Sequence, residues 1–200
     1  MKKCVLCVML AIMVLAAMPL VAEEAAFKGS DPSMAISINP FATLLTLLTG
    51  GIGFEGSFEM KLSQNLSLYI PAMYYGWSYN YSGYAYSWSY LSIGGEVHYF
   101  LADAAFNFGA SNALRGLWAG GGVNLQFWTG TGYYTWSETV IDIMAKAGYK
   151  WMWGNTSPGF YLEPYLGFHY GISVANGGTL PTTAPSYSGL GYGLNIGYAF

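Results

Sequence analysis

Ile52-Gly53-Phe54-Glu55-Gly56-Ser57-Phe58-Glu59-Met60-Lys61-Leu62 is the stretch on which the architecture turns. Ile52, Phe54, Phe58, Met60 and Leu62 share one side with Gly56, while Gly53, Glu55, Ser57, Glu59 and Lys61 share the other. Apolar residues at every second position have the period of a β-strand, because successive side chains leave a pleated backbone in opposite directions. All the charge of the stretch falls on one face. One face therefore expects a polar surrounding and the other an apolar one.

The same phase returns downstream. Leu66 to Tyr74 alternate with Ser67 to Tyr75, interrupted by Pro71, which cannot donate to a ladder. Leu91, Ile93, Val97, Tyr99 and Leu101 oppose Ser92, Gly94, Glu96 and His98; Leu117 to Phe127 oppose Asn124 and Gln126. Ile141 to Trp151 oppose Asp142, Lys146 and Lys150, and Phe160 to Ile172 oppose Glu163 and His169. The last run sets Leu190, Tyr192, Leu194, Ile196, Tyr198 and Phe200 against Gly191, Gly193, Asn195, Gly197 and Ala199. With a strand expected over 34–48, where Ile36 and Ile38 alternate with Ser37 and Asn39 before Pro40, the runs number eight.

Strands of about ten residues suffice to cross a bilayer when tilted. The turns near 63–65 and 154–158 and a link over 102–115 are expected on one side, with both termini. Loops over 49–51, 78–88, 129–138 and 174–188, rich in Tyr, Trp, Gly, Ser and Thr, are expected on the other.

Only 8% of the 200 residues are charged, against roughly a quarter in an ordinary soluble domain. The chain is nevertheless 54% hydrophobic and 18% aromatic, which excludes the weakly hydrophobic, highly charged class of disordered chains. Residues 1–22 place Lys2 and Lys3 before an apolar run from Cys4 to Ala22, with Glu23 and Glu24 after it, the layout of a secretory signal peptide cleaved after Ala22. Both cysteines, Cys4 and Cys7, lie inside it, so the exported part needs no disulfide. Five basic residues then face ten acidic ones, which gives no footprint for nucleic acid. A short segment over 23–33 would lead into a single domain over 34–200.

A soluble barrel would also alternate, but its polar face would have to solubilise it. Here the apolar face carries almost no charge, and lipid is its better solvent. In lipid every backbone group needs a protein partner, which a closed barrel supplies without an edge. The expected fold is thus all-β: a closed antiparallel transmembrane barrel of eight strands. Tyr99, Phe100, Trp128, Trp151, Trp153 and Tyr198, near strand ends, are expected in interfacial girdles.

Gly191-Tyr192-Gly193-Leu194-Asn195-Ile196-Gly197-Tyr198-Ala199-Phe200 resembles the C-terminal strand of bacterial outer-membrane barrel proteins. With the signal segment and strand pattern, it makes the chain similar to the small OmpX-like, OmpW-like and OmpA-barrel families, without a motif specific to one of them. The resemblance implies an outer-membrane location and a terminal signal, Tyr198 and Phe200, read by the barrel-assembly machinery. The irregular Ile38-Asn39-Pro40-Phe41 departs from the pattern and bears on the first strand's register.

The polar face collects Glu55, Glu59, Lys61, Glu96, His98, Asp142, Lys146, Lys150, Glu163 and His169. Eight strands leave an interior about wide enough for side chains to fill, so these groups are expected to pair as a lumen network. Gly51-Ile52-Gly53-Phe54-Glu55-Gly56 matches G-x-G-x-x-G, but a strand follows where dinucleotide binding needs a helix N-terminus. His98 and His169 lie on strands that are not neighbours, so no metal or other cofactor is expected. No Ser–His–carboxylate motif stands out, so no catalytic residues are expected either. Tyr79, Tyr81, Tyr84, Tyr86 and Trp88, with Tyr133, Tyr134 and Trp136, would form an aromatic outer-loop surface suited to contact with an extracellular or host ligand. The expected role is structural, surface display or adhesion. The alternatives are a narrow channel or transporter for small solutes, hydrophobic ones included, and a lipid-modifying barrel enzyme.

Overall fold

The computed structural model describes residues 32–81, 83–101, 114–152, 159–179 and 188–200. The expected signal segment, Trp153, the turn at 154–158 and most of the link over 102–115 lie outside these.

Eight antiparallel strands close in sequence order into one barrel: β1 (Met34–Ile38), β2 (Gly51–Lys61), β3 (Leu66–Tyr81), β4 (Tyr84–Phe100), β5 (Gly116–Thr131), β6 (Trp136–Met152), β7 (Gly159–Gly178) and β8 (Ser188–Ala199). Closure is made by β1 and β8, from Ala35↔Ala199 to Ile38↔Ile196, and extended by Met34 N to Phe200 O (3.0 Å) and Phe200 N to Met34 O (2.8 Å). Full closure leaves no free sheet edge around this girth.

Phase is kept around the barrel. Every charged residue of the strands (Glu55, Glu59 and Lys61 on β2, Glu96 on β4, Glu138, Asp142, Lys146 and Lys150 on β6, Glu163 on β7) occupies the inward set. Around the girth below the projecting end the outward set is apolar and exposed: Phe54, Ile93, Leu125, Ile143, Leu166 and Ile196 are typical. Of the residues expected in girdles, Tyr99, Trp151 and Tyr198 face outward at the end that carries the termini. Phe100 and Trp128 do not. Phe100 is fully buried against Trp118 and Tyr165, and Trp128 sits at an inward position of β5, because each falls on the inward parity of its strand.

The strand expected over 34–48 is corrected. After five residues β1 ends, and Pro40–Leu48 forms a helix, α1. Asn39 is its N-cap: its side chain accepts a bond from Ala42 N (3.1 Å), and Pro40, which has no N–H to satisfy, stands in the first turn. Alternation is lost after Asn39 because the next residues obey a helical period. Thr46 is buried, and its hydroxyl bonds Ala42 O at 2.8 Å, while Leu44, Leu45, Leu47 and Leu48 are exposed. Gly53 permits the close approach, since a Cβ there would stand 2.9 Å from Thr46. Helix α1 contacts both β2 and β8, so beyond Ile38 it takes the place in the wall that β1 leaves. A helix can do this because it satisfies its own backbone groups.

Asn39 also donates from Nδ2 to Glu55 Oε2 at 3.2 Å. Replacing Asn39 by Ala should therefore cost about 1–2 kcal/mol, from the lost cap and the lost donor together. Asn39→Ser should recover the cap part. Unfolding midpoints of the two variants, with amide exchange over 40–48, check this.

The loops expected over 78–88 and 129–138 are corrected as well. Strand β3 runs to Tyr81 and β4 starts at Tyr84, across a turn in which Gly83 has φ +82°; β5 runs to Thr131 and β6 starts at Trp136. Strand β7 continues to Gly178, with a bulge opposite Thr139 and Val140. Strands of 16 to 20 residues thus project the sheet β3–β7 beyond the girth closed by β1 and β8.

Candidate functional site in the lumen and at the mouth

At the terminal end the interior is closed by Ala35, Leu114, Met152, Tyr161 and Ala199, all buried. Above this apolar floor Lys150 enters from β6 with no exposed surface, and its Nζ donates to Glu59 of β2 and lies 3.4 Å from Glu163 of β7. The ammonium also sits 4.6 Å from the Tyr161 ring centre and 5.7 Å from that of Phe100. Glu59 accepts from Ser67 Oγ at 2.5 Å, and Glu163 accepts from Asn195 Nδ2 at 3.0 Å. These bonds occupy lone pairs that burial would otherwise leave unsatisfied.

The network continues through His98. Its ring is stacked between Tyr69 (4.7 Å) and Trp118 (3.9 Å), with Nδ1 3.4 Å from Glu59 and Nε2 3.3 Å from Glu96. Glu96 in turn accepts from Lys146 Nζ at 2.8 Å, and Lys146 lies 5.2 Å from the Tyr165 ring centre. Glu55 accepts from Tyr75 (2.9 Å), Tyr165 (3.2 Å) and Asn39. His169 Nδ1 lies 2.9 Å from Asp142 Oδ2. Lys61, also buried, completes the inward charges of β2. All ten residues expected in the lumen network thus lie at inward positions; Glu55, Glu59, Glu96, His98, Lys146, Lys150 and Glu163 are linked across the barrel with Tyr165, while His169 and Asp142 form a separate pair.

Sequence reasoning missed Glu138, Trp118 and Tyr165. Glu138 lay in an expected loop and is a buried inward residue of β6. Trp118 and Tyr165 had the inward parity of β5 and β7, a signal that was present but carried no charge to mark it.

Non-adjacent strands meet across so narrow a lumen. Glu59, His98 and Glu163, from β2, β4 and β7, bring potential ligand atoms within 4.8 Å of one another. The donor set is one a divalent ion could use, but Lys150 already holds both carboxylates. An added cation would meet that ammonium at short range. The cluster reads as an ion pair with its cation covalently built in.

At the mouth, the aromatic residues read as loops stand mostly on strands. Tyr79, Tyr81, Tyr84, Tyr86, Trp88 and Trp136 take inward positions on β3, β4 and β6, and Tyr133 and Tyr134 lie in the turn from β5 to β6. Ring pairs run up the mouth: Tyr90–Trp128 at 4.4 Å, Trp77–Trp88 at 4.2 Å, Tyr79–Tyr86 at 5.3 Å and Tyr84–Tyr133 at 4.5 Å. Such contacts favour a fixed cluster over separately moving side chains. Tyr79, Tyr81, Tyr133 and Tyr134 remain exposed at the top.

No protein family, curated protein or solved structure matches the chain.

Proposed function

We propose that the protein is an integral bacterial outer-membrane β-barrel that displays an aromatic mouth to the exterior, in a structural, surface-display or adhesion role without turnover. One observation carries this reading: the barrel has its charges inside and its exposed aliphatic and aromatic residues outside, the reverse of what water would select. Export through residues 1–22, assembly through Tyr198 and Phe200, and contact with outer-membrane lipid belong to the same reading. The ligand would be an extracellular or host molecule meeting Tyr79, Tyr81, Tyr133 and Tyr134.

A lumen occupied by Glu59, Lys150, Glu163, His98, Trp118 and the floor around Tyr161 supports a plugged barrel rather than a channel. The test is incorporation of the expressed protein into lipid vesicles and planar bilayers. A heat-modifiable species resistant to carbonate extraction, with no discrete conductance, is the expected result. Failure to enter lipid would refute the membrane location. Stepwise openings from folded protein would replace display by transport of small solutes.

A further inference from the structure

The outward wall near the projecting end holds a cavity of about 380 Å³, which borders the mouth at Trp77 and Trp88. Its lining includes Gly76 and Ser78 on β3, Ser87 and Ser89 on β4, and Thr129 and Thr131 on β5. The register makes two rows of these residues, Gly76↔Ser89↔Thr129 and Ser78↔Ser87↔Thr131. Gly76 has no side chain, and the Tyr74 hydroxyl reaches over it, 3.0 Å from where a Cβ would stand.

Ser89 and Thr129 share a hydroxyl bond of 2.8 Å, and Ser87 and Thr131 one of 2.7 Å. Each hydroxyl brings one proton and two lone pairs. A shared bond therefore leaves every pair one donor and several acceptor positions. The lining holds no charged side chain, so it offers nothing that selects phosphate, carboxylate or ammonium. Mixed donor and acceptor capacity without charge is the complement of a sugar hydroxyl. The volume falls at the lower end of the range of about 300–1,000 Å³ for small-molecule sites.

Position narrows the source. The outward residues next below these rows are Leu91 and Phe127, exposed members of the apolar wall. The groove thus opens where the apolar surface ends. We infer that it binds the sugar of a neutral glycolipid, whose acyl chains lie along the wall below. This inference rests on the membrane reading proposed above.

The test uses the full chain, expressed with its own N-terminal segment and taken from the membrane fraction into phosphatidylcholine nanodiscs containing a minor share of monoglucosyl diacylglycerol. Native mass spectrometry then counts the lipid retained on each barrel. One retained glucosyl lipid, enriched at least tenfold over its share of the disc, is expected. Joint replacement of Thr129 and Thr131 by Val keeps the volume and removes two hydroxyls, and should lower that enrichment about tenfold, with unboiled gel mobility unchanged. Retention in proportion to bulk composition, or enrichment unaffected by the two valines, would overturn the inference while leaving the inserted barrel intact. Loss of the retained lipid to equimolar methyl glucoside would overturn the lipid source in favour of a free saccharide. A chain that never enters the disc removes the membrane reading and this inference together.

Discussion

Lys150→Met should destabilise the folded barrel by about 3–5 kcal/mol, the cost of breaking a buried ion pair from one side. Lys150, Glu59 and Glu163 have no exposed surface. With the ammonium gone, two carboxylates face each other across the lumen, and their remaining partners, Ser67 for Glu59 and Asn195 for Glu163, are neutral donors. His98 adds a ring nitrogen 3.4 Å from Glu59, but its other nitrogen is engaged with Glu96. Water has little room to take the place of the lost charge, because the Tyr161 and Phe100 rings flank the site. The decisive comparison is the triple variant Lys150→Met, Glu59→Gln, Glu163→Gln. It removes the repulsion together with the pair and should recover most of the loss. Urea midpoints of the refolded species measure both. A single variant within about 1 kcal/mol of the parent would show that the ion pair is a surface-like contact contributing little.

Gly122→Ala should do comparable damage by another route. Gly122 faces inward on β5 opposite Glu96. A Cβ at that position would stand 2.2 Å from Gly95 O and 2.6 Å from Glu96 Cα, both backbone atoms of β4. A flexible side chain could swing aside, but these atoms are held by a ladder whose strands lie about 4.7–4.9 Å apart. Relief requires β4 and β5 to separate, which breaks bonds on both sides of the glycine. The loss should reach or exceed the upper end of the usual overpacking cost, about 3 kcal/mol. Gly95→Ala is the matched control, since a Cβ there meets nothing within 4 Å. It should fold like the parent, within about 0.5 kcal/mol. Unboiled gel mobility and urea midpoints distinguish them. Equal behaviour of the two variants would mean that β4 and β5 give way more easily than a closed sheet should.

The strand phases were legible because charge marked them. Glu55, Glu59 and Lys61 on one strand, and Asp142, Lys146 and Lys150 on another, identify the inward side with no reference to structure, and the uncharged runs follow by continuity. The upper halves of β3 to β6 were harder to read because the contrast reverses. From Trp77 to Trp88 the large aromatic residues point in and the small polar ones point out, so a rule that seeks apolar residues outside finds no strand there. Helix α1 had its start signal in Asn39-Pro40, but the alternation of Ile36 and Ile38 with Ser37 and Asn39 just before it extended the strand reading to residue 48. The pairing of particular lumen residues depends on which inward side chains meet across the diameter. That distance is a property of the closed barrel, and no spacing along the chain encodes the contact between Glu59 and Lys150.

The substitution of α1 for the upper part of β1 also gives the wall a mechanical direction. Strands β2 and β3 are joined through eleven residue pairs, from Gly51↔Trp77 to Lys61↔Ser67, whereas β1 and β8 share four. The helix bears on the neighbouring strands through side chains, without the row of backbone bonds that resists shear between paired strands. A pulling force applied at the N-terminus would therefore part the cylinder along its closing seam and peel β1 and α1 away together, while the hairpin sheet β3–β7 kept its shape.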